Sequence, residues 1–339
     1  MDRAACIFGC AGARLSESER HFFEEIKPLG FILFSRNGDG ENELRRLIHS
    51  LEDSVGESVL ILTDHEGGRV QRFTGPDWYG WLPPFEQCQA IVPAKRLRSL
   101  WLRYRIIAAE LRAVGINVNC VPVADTATNV THPVLYNRCY ATDPGFVSEA
   151  AHTVAEACIA GGILPVVKHI PGHGRPHADS HLQLPVTDAA LTELAESDFI
   201  PFRRLNRFPL GMMAHVLYLS LDGQYPSSQS EGVISYVRDV IGFDGLLMSD
   251  DLSMSALRGN MGERAMSCIS AGCDVNLHCN GDLAEMQDVA AASGKLGKVG
   301  SLRAHNAFTS FCEPDQDELA VFVEEFQAIC LQSGVQWPP

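Results

Sequence analysis

Eight short apolar runs punctuate this chain, each separated from the next by an amphipathic stretch or a loop. They are Ala4 to Gly9, Phe31 to Phe34, Val59 to Thr63, Ile116 to Val121, Leu164 to Lys168, Leu210 to Ala214, Gly245 to Ser249 and Asp274 to His278. Most are continuously apolar rather than alternating, as parallel strands buried on both faces are. Helix signals fill the intervals. Ser16 and Glu19 have the capping-box spacing and Pro28 closes that stretch, while Asn42 to Val55 stops at Gly56. Ala94 to Gly115, Asp143 to Gly161, Leu191 to Leu205, Gly232 to Ile241, Glu263 to Ala271, Leu283 to Leu296 and Glu318 to Leu331 read as further helices. Eight strands each followed by a helix is the count of an α/β (β/α)8 TIM barrel. A doubly wound open sheet satisfies the same alternation. No linker or low-complexity tract divides the 339 residues, so one domain over 1–339 is expected.

A barrel makes a further demand, because its active site must gather residues from the C-terminal ends of several strands. Polar residues stand there: Asp64, Asp125, Lys168 with His169, His215, Asp250 and His278. The fifth run opens into the densest stretch of titratable groups, Lys168-His169-Ile170-Pro171-Gly172-His173-Gly174 and on to Asp179-Ser180-His181. Histidines 169, 173, 177 and 181 fall four apart, which on a helix would make a zinc-binding face. Pro171, Gly172, Gly174 and Pro176 oppose that helix. A metal site carried on the loop stays open as a reading, beside one in which His169 and His173 only fasten the loop to the barrel rim.

Asp179 stands two residues before His181. In an irregular turn such a carboxylate accepts from the imidazole Nδ1–H and tunes the ring as a base or acid, or it simply closes an Asx turn. At Asp250-Asp251 alternation sends one side chain to the barrel mouth and the other away. With Asp250 at the mouth it is the candidate nucleophile, and Asp251 suits the cap of a following helix. Glu66 reads as an acid or as an ion-pair partner for Arg69 or Arg72. Arg36, Arg138 and Lys168 add cationic donors suited to a substrate rich in hydroxyls, with a carboxylate as an option.

Composition excludes some classes. Lys plus Arg is 27 and Asp plus Glu is 42, so the net charge of 27 − 42 = −15 leaves no uniform basic footprint for nucleic acid. Eleven cysteines, an odd number without a CxxC pair, suggest reduced thiols. The N-terminal stretch carries an acid at position 2 and makes a poor signal peptide. The uncharged run Ala157 to Val167 is eleven residues, too short to span a bilayer. A soluble cytoplasmic enzyme with no membrane or nucleic-acid partner is expected.

Taken together, KHxPGHG with DSH beyond it, GxxxSDDLSM, DxEGGRVQRF and AGCD with an apolar run resemble the bacterial β-N-acetylhexosaminidases of glycoside hydrolase family 3, in order and over nearly the whole chain. The resemblance implies a single barrel that releases GlcNAc β-1,4-linked to (anhydro-)MurNAc in recycled cell-wall fragments, with no metal or cofactor. It implies Asp250 as nucleophile and His181, paired with Asp179, as acid/base. Asp64, Arg72, Arg138, Lys168 and His169 match sugar-binding positions, with His215 on the rim nearby. The partner it implies is a small carbohydrate, a muropeptide, and the chain is expected to be a monomer or weak homo-oligomer. The sequence departs from the commoner pattern at His65, often Gln, at Ile170, often Phe, and at Arg175-Pro176-His177. Other readings are a family relative of different β-glycoside specificity, a phosphorylase, a histidine-rich metal-dependent hydrolase, or a catalytically silent sugar-binding barrel.

Overall fold

The computed structural model describes residues 2–38, 40–180, 182–314 and 319–338. Each apolar run overlaps a barrel strand: β1 (Ala4–Gly9), β2 (Pro28–Leu33, which starts three residues before its run), β3 (Leu60–Thr63), β4 (Val118–Asn119), β5 (Leu164–Ile170), β6 (Leu210–Met213), β7 (Leu246–Asp251) and β8 (Val275–His278). All eight run parallel in sequence order and close on themselves, with β1 paired to β2 on one side and to β8 on the other. The (β/α)8 barrel is therefore the fold, and the open sheet is not.

Strand alternation divides the core in two. Ile7, Leu62, Val118, Val166, Met212, Met248 and Leu277 pack inside the barrel, while Phe8, Phe31, Ile61, Val167, Met213 and Leu247 face the surrounding helices. Alternation also fixes what rises above the inner core. Leu60 and Leu62 point inward, so Asp64 follows them; Leu246 and Met248 do the same for Asp250. Burial of apolar surface on both faces thus aims polar side chains at one end of the barrel.

The helices largely follow their end signals. Ser16 caps Glu17–Ile26, with a complete capping box to Glu19, and Glu41–Val55 ends on Gly56 at φ 72°, a conformation glycine adopts without steric cost. The single helix expected over Leu191 to Leu205 is instead two, Leu191–Glu196 and Ile200–Arg204. Pro201 lacks an N–H and is tolerated only in a first turn, so a new helix starts there. Gly232 to Ile241 is helical, but Glu231–Tyr236 widens into a π turn over Val237–Ile241.

Three helices were not anticipated: Pro84–Ala90, Pro133–Tyr136 and Lys298–Thr309. Lys298–Thr309 contributes Ala304 and Ala307 to the core inside the barrel and closes its lower end. Its buried side carries Gly300, Ala304 and Ala307 rather than large apolar residues, so it leaves little helical periodicity to read. No helix among the described residues is long and apolar enough to cross a membrane. All eleven cysteines are free thiols.

Candidate active site

At the C-terminal end of the barrel a cavity of about 1050 Å3, its open mouth included, is lined by Asp64, Arg72, Arg138, Lys168, His169 and Asp250 among others. Its charges are interlocked. The Lys168 ammonium, 1% exposed, donates to Asp64 at 2.8 Å and stands 2.7 Å from Glu66. Arg72 donates to the other oxygen of Asp64 at 2.8 Å. Arg138 grips Glu66 with both arms of its fork, Nε at 2.9 Å and Nη2 at 2.8 Å. Glu66 is thus partnered by Arg138 and Lys168, and not by Arg69 or Arg72 as its neighbourhood in sequence suggested. Lys168 reaches it from β5 and Arg138 from the turn after the short helix Pro133–Tyr136.

Burial disfavours ionisation of both carboxylates, but the cations overcome it. Lys168 and Arg72 hold Asp64 far below the usual carboxylate range, and Arg138 and Lys168 hold Glu66 at about 2. In return Asp64 and Glu66, outweighing burial, raise Lys168. The result is a row of permanently charged, mutually satisfied groups whose free edges face the cavity.

A bulge in β5 makes that row possible. Strict alternation would send Lys168 and His169 to opposite faces, yet both line the cavity. The register of β5 against β6 shifts between Val167 and Ile170, and such a shift re-aims a side chain. The His169 Nδ1–H donates to Asp125 at 2.6 Å, and the other oxygen of Asp125 accepts the backbone N–H of His173 at 2.6 Å. Asp125 therefore orients one ring and tethers the loop beyond it. His173 fastens the loop through its backbone; its buried ring is pushed down to about 4 by desolvation and stays neutral.

The loop is further held by Tyr218, which donates to the Gly172 carbonyl, and Thr131, which donates to the Gly174 carbonyl. Arg175 ends this anchored part, donating to Asp198 and Glu193 at 2.6 Å each and to Ser197 at 2.9 Å. Asp179 lines the cavity. His181 lies outside the described residues.

Asp250, 6% exposed, ends the inner face of β7 in the cavity wall. Its Oδ1 accepts the Asp251 N–H at 2.8 Å. Burial opposes its ionisation, but His169, His215, that N–H and Lys168 together lower it, so the carboxylate is charged. Asp251 does not cap a helix, since turns follow it; its carboxylate accepts from the Ser253 N–H and hydroxyl and from the Cys279 N–H.

Two expected positions fall elsewhere. His215 is fully buried rather than on the rim, with Nδ1 accepting from Ser228 at 2.7 Å and Nε2 donating to the Asp251 carbonyl at 3.1 Å. It backs the end of β7 and does not line the cavity. Arg36 braces the barrel rim, donating to the carbonyls of Cys10 and Cys279. Among the described residues no group of three or more His, Cys, Asp or Glu is placed to hold a metal ion.

Fold and cavity together define a (β/α)8-barrel enzyme whose polar lining suits a hydroxyl-rich substrate. Residues 10–306 match the glycosyl hydrolase family 3 N-terminal domain, and the chain belongs to glycoside hydrolase family 3; it is a glycosidase. A relative from Methylococcus capsulatus, named beta-hexosaminidase, is 35% identical over 327 residues, covering 95% of this chain and 97% of its own. NagZ from Neisseria gonorrhoeae, solved with N-trifluoroacetyl-D-glucosamine, superposes with a TM-score of 0.85 at 29% identity, over 98% of both chains. A family 3 beta-N-acetylglucosaminidase from Paenibacillus gives a TM-score of 0.83 at 26% identity, covering 97% of this chain and 67% of that one.

Proposed function

We propose that this chain, acting as one domain in the cytoplasm, is an exo-acting retaining β-N-acetylglucosaminidase. Its substrate on this reading is GlcNAc β-1,4-linked to (anhydro-)MurNAc, with or without a peptide, as arises when peptidoglycan is recycled. The observation that carries the reading is Asp250: an ionised, buried carboxylate in the wall of a cavity it shares with the ion-paired Asp64, Arg72, Arg138 and Lys168. A retaining glycosidase needs such a nucleophile, with an acid/base flanking the bond about 5–5.5 Å away when both are carboxylates. Asp250 attacks the anomeric carbon and a covalent glycosyl ester forms. His181, oriented by Asp179, gives its proton to the departing oxygen and then takes one from the water that cleaves the ester. An unperturbed imidazole near ~6.5 serves both steps around neutral pH. Asp64, Arg72, Arg138, Lys168 and His169 hold the sugar hydroxyls, and His215 supports the nucleophile from behind.

The test is hydrolysis of 4-nitrophenyl β-N-acetylglucosaminide and the matching β-glucoside by the wild type and Asp250→Ala. Turnover of the acetamido substrate alone, lost in the variant, is expected. Turnover of neither, or activity surviving in Asp250→Ala, overturns the reading. His181→Ala should slow substrates with poor leaving groups more than those with good ones, and an equal loss on both removes the acid role.

A further inference from the structure

A second cavity, of about 740 Å3 with its open mouth included, lies on the outside of the barrel between the helices Glu17–Ile26 and Glu41–Val55. It shares no lining residue with the active-site cavity. Three guanidinium groups line it, each from a different piece of chain: Arg14 on the loop after β1, Arg20 on the first helix and Arg46 on the second. Among the described residues none of these three side chains makes a hydrogen bond or an ion pair. Arg45, one position from Arg46, shows the contrast. It donates to Glu41 and to the Ala113 carbonyl at 2.9 Å each and does not line the cavity.

The backbone that carries Arg14 is braced on both sides. Glu19 accepts the Ala11 N–H at 2.9 Å and the Ser16 N–H at 3.0 Å, and the Asn37 amide donates to the Gly12 carbonyl at 3.0 Å. A cation presented on a fixed backbone loses less ordering entropy when it engages a ligand. Leu15 and Leu47, both packed against the core, give the cavity an apolar side. Among the described residues of the wall Glu43 is the one acid, so three guanidinium groups and one carboxylate leave 3 − 1 = +2. In a chain of net charge −15 that local surplus marks a place for a dianion. Guanidinium forks match the oxygens of a phosphate group in pairs. Three of them exceed what a single planar carboxylate can occupy, and the apolar side leaves room for an organic half.

We propose that Arg14, Arg20 and Arg46 form a binding site for a small phosphate monoester. The three guanidinium groups hold its dianionic phosphate, and its organic half lies against Leu15 and Leu47. The site is separate from the barrel mouth and stands whether or not the reaction proposed above is correct.

The experiment is calorimetric titration of the full chain with glycerol 3-phosphate, in about 0.15 M salt so that distant charges are screened. Glycerol is the neutral control. Saturable binding of the phosphate ester at one site per chain is expected, with none for glycerol. Arg14→Gln, Arg20→Gln and Arg46→Gln should each weaken it about tenfold, the loss of a charge-assisted contact. Arg45→Gln removes an equal charge one position away from a guanidinium already committed elsewhere, and should leave the affinity unchanged. Lowering the pH through ~6 should weaken wild-type binding, because the phosphate then takes up its second proton. The three arginines are exposed or half-buried, so the variants should melt with the wild type when no ligand is present. No saturable binding by the wild type overturns the proposal. So does an affinity unchanged in all three variants, which would put the ligand elsewhere. An equal loss in Arg45→Gln also overturns it, since attraction by overall charge would then explain the binding.

Discussion

Lys168 carries more of the site than any other single side chain, because two buried carboxylates share its ammonium. Removing one partner of a desolvated ion pair strands the others, a change that costs about 3–5 kcal/mol. Lys168→Met should lose that much in urea unfolding, and a loss under about 1 kcal/mol would show that water reaches the row freely. The residues of this row were visible in the sequence because strand ends in a barrel converge, which picked out Asp64, Lys168, His169 and Asp250. Their pairing was not. Glu66 stood near Arg69 and Arg72 in sequence, but its partner Arg138 is 72 positions away. Asp125 was seen only as a polar strand end, since the ring it orients lies 44 positions on. Adjacency of strands four and five is the signal that would have joined them.

The hairpin after β3 shows how one element can be fixed by what surrounds it. Gly67 has φ 93°, and a Cβ there would fall into the Arg103 guanidinium and against Trp81. Arg103 cannot step aside, since it also donates to the Leu82 carbonyl and to Gln87. Gly67→Ala should therefore cost about 1–3 kcal/mol and raise KM, because Glu66 immediately precedes it. Gly223→Ala, with nothing within 4 Å of the added Cβ, is the control and should change neither melting temperature nor KM measurably. At this scale the sequence was read well where burial leaves a pattern. All eight strands overlap the apolar runs that marked them, though β2 begins three residues early at Pro28, and caps such as Ser16 and Gly56 mark real helix ends. Reading failed where packing uses small residues, as in Lys298–Thr309, and where proline restarts a helix inside one apolar pattern, as at Pro201.

For the whole molecule, buried titratable groups set a stability profile that declines on both sides. His65 packs against Phe73 and Trp78, whose rings also touch each other, and burial pushes it down to about 3; His173 lies at about 4 and Glu66 at about 2. Each binds its proton more readily when unfolded, so the stability it contributes is complete above its ordinary pKa and drains as pH falls, from about 6.5 for the histidines. Glu110, which accepts the Tyr79 N–H at 2.7 Å, is raised by burial to about 8. Its contribution has the opposite sign, complete below about 4.3 and lost as pH rises through its folded value. Melting temperatures from pH 3 to 9 should show His65→Gln flattening the acid limb and Glu110→Gln the alkaline one; limbs unchanged in slope would overturn these assignments. Barrel topology was legible from the count of strands, but its closing seam was visible only in the structure. There β1 lies between β2 and β8, with Phe8 opposite Phe31 on one side and His278 on the other. During synthesis the strand made first must wait for the strand made last, and until residue 278 clears the ribosome both present bare edges. A chain stalled before that point is therefore not a smaller barrel but an open sheet with two unpaired margins.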